Sequence, residues 1–264
     1  TTTKLKGKAD LFLGAVKYED RNKCNNKGSD CNSDGTNMSY RYTLNLNTSF
    51  TGKDRLYTRL RAGNMGDDSV WDGNGVSLNK LDTAAPGGNL VEIDRLYYRF
   101  PLGDGFTVQA GPLTRNTEMM GYKATAYAKG GQKVLDFFGG SLGVPGVWNK
   151  ETGGGVGLIY TNKSNVDKGD AYFTVAAYYV ADSGEANDSN PNTGGFMTDN
   201  SEGNITSQLA YGNKQWGLAA GCRYGQCGAK FRTGTEYASS GSWGTPCTVT
   251  NKNGEDVRTN ADSH

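Results

Sequence analysis

Between Ser39 and Asn64 the chain reads SYRYTLNLNTSFTGKDRLYTRLRAGN, two runs of strict alternation around Thr51-Gly52-Lys53-Asp54. Side chains alternate faces along a strand, so each run is a strand with one apolar and one polar surface. Tyr40, Tyr42, Leu44, Leu46 and Phe50 share a face in the first run, and Leu56, Thr58, Leu60 and Ala62 in the second. The opposite face carries Arg41, Thr43, Asn45, Asn47, Arg55, Tyr57, Arg59 and Arg61. Each run has the ~10 residues that a tilted strand needs to cross a bilayer. The arginine face must meet water, and the Tyr, Leu and Phe face suits lipid.

The same alternation and its turn signals extend over most of the 264 residues. They predict strands at about Lys4–Val16, the two runs above, Val91–Pro101, Phe106–Arg115, Gly154–Thr161, Ala171–Ala181, Asn204–Tyr211 and Gln215–Tyr224. Beyond Gly225 the pattern weakens. Connections alternate long and short, so all long ones fall at one end and all short ones at the other. Outer-membrane barrels are built that way, with long extracellular loops and short periplasmic turns.

No apolar run approaches the ~20 residues of a membrane-crossing helix. Only 35% of residues are hydrophobic, a value that half-apolar barrel strands tolerate. A net charge of +1 gives no case for nucleic-acid binding. The one histidine is His264, which leaves no basis for a Ser-His-Asp or Cys-His centre, and no enzyme, cofactor or metal site is expected. Cys24 and Cys31 bracket a polar loop and suggest a local disulfide in an exported compartment. Cys227 can close a long loop with Cys247 or a short one with Cys222, and one cysteine is left over.

Two segments carry a resemblance. Leu46–Asn64, LNTSFTGKDRLYTRLRAGN, resembles the signature hairpin of the cyanobacterial outer-membrane porins, often labelled iron-uptake porins, of the carbohydrate-porin superfamily. Leu96–Gly111, LYYRFPLGDGFTVQAG, resembles the same family. The resemblance implies an all-β, antiparallel transmembrane barrel in the outer membrane. It also implies a homotrimer and passive diffusion of small hydrophilic solutes and inorganic ions. Family members carry a surface-layer-homology domain upstream, and channel-forming porins use ~16 strands. The chain is therefore expected to be the N-terminal part of one longer barrel domain.

Alternation assigns Arg41, Arg55, Arg59, Arg61, Arg95, Arg99 and Arg115 to the lumen as one basic wall, joined by Lys6 and Lys8. Guanidinium groups stay charged and prefer planar oxyanions, so such a wall should lower the barrier for anions. The third long connection, Asn116–Gly153, is the candidate constriction loop, with Glu118, Lys123, Lys129, Lys133 and Asp136 along the permeation path. The rival reading is a secreted carbohydrate-binding or adhesive β-domain that presents Trp71, Trp148 and Trp243 on loops.

Overall fold

The computed structural model describes residues 1–17, 35–66, 69, 71, 80–84, 87–122, 147, 150–227, 229, 248–250 and 256–258. Nine strands make one antiparallel sheet: β1 (Thr2–Gly14), β2 (Asn37–Ser49), β3 (Arg55–Gly63), β4 (Glu92–Leu102), β5 (Phe106–Arg115), β6 (Thr152–Thr161), β7 (Tyr172–Ala181), β8 (Gly203–Gly212) and β9 (Gly217–Gly225). Each strand pairs with its sequence neighbour, in the order β1 through β9, so β1 and β9 are the edges. The chain is therefore all-β in its main sheet, and each predicted strand is present with ends shifted by a few residues. Two elements went unread. A short helix, α1 (Lys163–Lys168), fills the β6–β7 connection and ends at Gly169, whose φ is +78°. A small hairpin, β10 (Thr248–Thr250) with β11 (Asp256–Arg258), lies beyond the last predicted strand. Among the described residues no helix is long and apolar enough to cross a membrane, which says nothing about crossing by strands.

The β2–β3 turn explains the TGKD sequence. The Asp54 carboxylate accepts from Ser49 Oγ (2.7 Å), Thr51 N (2.8 Å), Thr51 Oγ1 (2.7 Å) and Tyr98 Oη (2.7 Å). Gly52, at φ +83°, supplies the left-handed residue that the reversal requires. Burial alone would raise the Asp54 carboxyl, but the hydrogen bonds from Tyr98, Thr51 and Ser49 hold it well below the usual carboxylate range.

Register keeps the two faces in phase across the sheet. Leu5 faces Leu46, Leu44 faces Leu60, and Leu56 faces Tyr98. On the other face Lys8 faces Thr43, Asn45 faces Arg59, and Arg55 faces Arg99. A bulge interrupts β4: Arg59 pairs with Arg95 and Leu60 with Ile93, which leaves Asp94 as an extra residue. The bulge returns Ile93 to the apolar face although it lies two positions from Arg95.

Burial runs opposite to that of a water-soluble sheet. Gln208, Thr206 and Thr174 on the polar face are at most 2% exposed, whereas their apolar neighbours Leu209, Ile205 and Val175 are 49%, 47% and 39% exposed. Exposed apolar side chains run from Leu5, Leu11 and Leu13 on β1 to Leu218 on β9. Leaving a Leu or Phe uncovered forgoes ~1.5–3 kcal/mol each, and a contiguous apolar face of this extent requires an apolar partner.

The polar face is covered by the connection after β5. Asn116–Glu118 form one 3-10 turn. Met119 and Met120 then pack with Ile159, Ala176, Tyr178 and Val180, and Val147 joins the same cluster. Tyr122 ends this strap: its N–H donates to Gln208 Oε1 (3.0 Å), Gln208 Nε2 donates to its carbonyl (2.8 Å), and its hydroxyl donates to Asn213 O (3.3 Å) in the β8–β9 turn. The strap thus runs from the long-connection end of β5 to the short-turn end of β8. Glycine makes room for it, since a Cβ on Gly157 would lie 2.7 Å from Met119 Sδ, and one on Gly217 would collide with the Tyr122 ring.

Candidate functional site

The candidate site is the polar face of β2–β5 with the start of the strap against it. Its arginines fall into two groups rather than one continuous wall. At the short-turn end, Arg55 donates to Tyr97 Oη (2.9 Å) and lies over the rings of Tyr57 (5.2 Å) and Tyr97 (5.6 Å). Arg99 stands across from Arg55 on one side and Gln109 on the other.

The second group centres on Asp94. Its carboxylate pairs with Arg59, with Arg61 Nη1 (3.3 Å) and with Arg95 Nη1 (3.2 Å). Arg95 Nε reaches Glu118 Oε1 on the strap (3.2 Å), and Arg41 Nη2 reaches Asp10 Oδ2 on β1 (3.0 Å). Lys8 also pairs with Asp10 (2.6 Å). Arg95 is the most enclosed, with a side chain 1% exposed. Several guanidinium nitrogens are buried without a hydrogen-bond partner among the described residues: Arg41 Nε, Arg61 Nε, Arg95 Nη2 and Arg99 Nε.

Arg115 joins this group by a route that alternation did not supply. The register shifts between Gly111 and Thr114, so Arg115 is out of phase with Gln109. It pairs with Thr152, donates from Nε to Thr152 Oγ1 (2.9 Å), and lines one cavity with Arg61, Asp94 and Arg95.

Of the predicted constriction residues, Glu118 is engaged by Arg95, while Lys123, Lys129, Lys133 and Asp136 lie outside the described residues. Cys24, Cys31 and Cys247 also lie outside them. Cys227 is buried, and Cys222 is an exposed free thiol. Sequence reasoning missed Asp10 and Asp94, the strand carboxylates that gather the arginines. Asp10 could have been found, since alternation places it with Lys6 and Lys8; Asp94 could not, because the bulge breaks its phase.

A second feature lies on the apolar face. Phe50, Tyr98 and Phe100 form a chain of ring contacts with centroids 6.2 Å and 5.3 Å apart. Phe106–Tyr160 (5.0 Å) and Tyr211–Trp216 (5.7 Å) continue it along the short-turn ends of the later strands. Amphipathic rings in such a row suit a membrane–water boundary.

No protein-family model matches the chain. It is similar to uncharacterized protein sll0772 of Synechocystis sp., 30% identical over 210 residues, covering 69% of this chain and 36% of that protein. It is likewise similar to uncharacterized protein alr4550 of Nostoc sp., 31% identical over 216 residues, covering 75% of this chain and 34% of that protein. The chain therefore spans about a third of the length of the curated relatives it matches.

Proposed function

We propose that this chain is part of the wall of an outer-membrane β-barrel porin that passes small hydrophilic solutes and inorganic ions by diffusion. One observation carries the reading: the polar face is buried beneath a strap while the apolar face of the same strands is bare. Water would favour the reverse, and lipid favours this arrangement. The aromatic row and the sorting of long and short connections support it.

Among the described residues β1 and β9 are edge strands with unpaired backbone groups that hydrocarbon cannot satisfy, so a membrane-inserted sheet has to close with further strands. Relatives about three times as long as the matched region have chain enough to provide them. A homotrimer, and a Cys24–Cys31 disulfide on the extracellular side, belong to the same reading.

The rival binding-domain reading needs exposed tryptophans. Trp71 is instead half-buried, with its indole N–H donating to Asn37 and its ring against Gly14, while Trp148 and Trp243 lie outside the described residues. The test is detergent extraction of the full-length protein followed by planar-bilayer recording. The expected result is an outer-membrane fraction that needs detergent and gives stepwise conductance in potassium chloride. Release into buffer with no conductance would sink the porin reading and favour the secreted binding domain.

A further inference from the structure

We infer that the Asp94-centred arginine group holds a small divalent oxyanion, of the inorganic phosphate or sulfate class. The site is a cavity of about 310 Å³ at the long-connection rim of β3–β6, where Arg61, Arg95, Arg115, Thr152, Asp94 and Glu92 line it together with apolar-face residues such as Ala62 and Ile93. Arg95 spends Nε on Glu118 and Nη1 on Asp94, and its Nη2 is buried with no partner among the described residues. Arg61 gives Nη1 to Asp94, and its Nε is likewise buried and unpartnered. Arg115 gives Nε to Thr152 and forms no ion pair among the described residues.

Charge points the same way. Arg41, Arg59, Arg61, Arg95 and Arg115 gather around Asp10, Asp94 and Glu118, with Glu92 exposed at the rim. Five guanidiniums, with Lys8 also on Asp10, against three half-buried carboxylates and the exposed Glu92 leave a positive surplus, and a buried N–H without an acceptor is costly. Asp94 is already shared by three guanidiniums, and Glu118 Oε2 is the one carboxylate oxygen beside Arg95 that is buried without a partner among the described residues. A tetrahedral oxyanion supplies further acceptors, because its oxygens diverge and can accept from several planar forks at once, with charge assistance. A halide presents one spherical acceptor and cannot match the forks in this way. The inference rests on the porin reading only in that the polar face must be wet for the ion to enter.

The test is isothermal titration of inorganic phosphate into detergent-solubilised full-length protein, with ionic strength held constant by chloride. Saturable binding is expected, weakened at least about tenfold in Arg115→Gln and only in part in Arg115→Lys, which keeps the charge but not the fork. Arg99→Gln, in the other arginine group, should bind as wild type does. Heat-modifiable migration in electrophoresis reports folding; if Arg115→Gln fails that check, Arg61→Gln takes its place with the same expected loss. No saturable heat in the wild type overturns the site and leaves water as the partner of the orphan nitrogens. An equal loss in Arg99→Gln overturns it too, by reducing it to diffuse electrostatics. Chloride conductance of the same preparation separates the two proposals: conductance without phosphate binding refutes the site alone, and binding without conductance refutes the pore alone.

Discussion

Two carboxylates at opposite ends of the sheet titrate in opposite senses. Asp54 is held ionised by its turn. Glu151, just ahead of β6, is the reverse case. Burial first, and then the carboxylates of Asp182 and Glu202, push it up to about 7, against the hydrogen bond from Thr152 N (3.1 Å). A carboxyl whose folded value is raised contributes stability that is fully present below the unfolded value, ~4.5, and lost as pH rises through about 7. At pH 8 the ionised folded form is therefore disfavoured by up to ~3 kcal/mol relative to the unfolded chain. Glu151→Gln should raise resistance to denaturant at pH 8 by that order and change little at pH 4. Denaturant titration of the detergent-solubilised protein at pH 4, 6 and 8 checks this. A variant that keeps the wild-type loss between pH 4 and 8 would place the sensitivity elsewhere.

The strands show what a sequence of this kind reveals. Alternation has a period of two and needs no distant partner, so β2, β3 and β5 could be read from the chain alone. Asp94 could not, and the register shift ahead of Arg115 could not, although alternation had assigned Arg115 to the lumen, because a bulge shifts phase by one residue and leaves no mark in composition. The strap from Asn116 to Tyr122 was anticipated as a loop into the lumen, but its path was not, because the path is set by pockets on β6–β9. Gly157 and Gly217 read only as strand glycines until Met119 and Tyr122 are laid over them. At Gly217 the prediction is direct. Gly217→Ala forces the Tyr122 ring away and should destabilise the protein by ~1–3 kcal/mol, the usual range for overpacking. In a Tyr122→Ala background the same substitution should be nearly neutral, so the two changes are strongly non-additive. Additive losses in a double-mutant cycle would mean that the strap does not rest on β9.

Across the whole molecule a net charge of +1 conceals a strong local imbalance, because acids and bases occupy different places. On the polar face of β1–β5 the surplus is basic; Asp94 tempers Arg59, Arg61 and Arg95, and Glu118 shares Arg95 with it. If this face lines a pore, the pore should favour anions modestly, and substitutions of opposite sign should move selectivity in opposite directions. Arg59→Gln with Arg61→Gln removes two cations and keeps polarity, so the reversal potential under a salt gradient should move toward the cation side. Asp94→Asn removes the shared anion and should move it further toward the anion side. Screening over ~10 Å at ~0.1 M salt means that both shifts should shrink as salt rises. Neutral solutes should pass by size, unaffected by either change. The paired design distinguishes charge from shape: a disturbed wall would shift both variants the same way. Two shifts of the same sign, or none at ~0.1 M salt, would mean that the arginines brace the wall without setting what passes it.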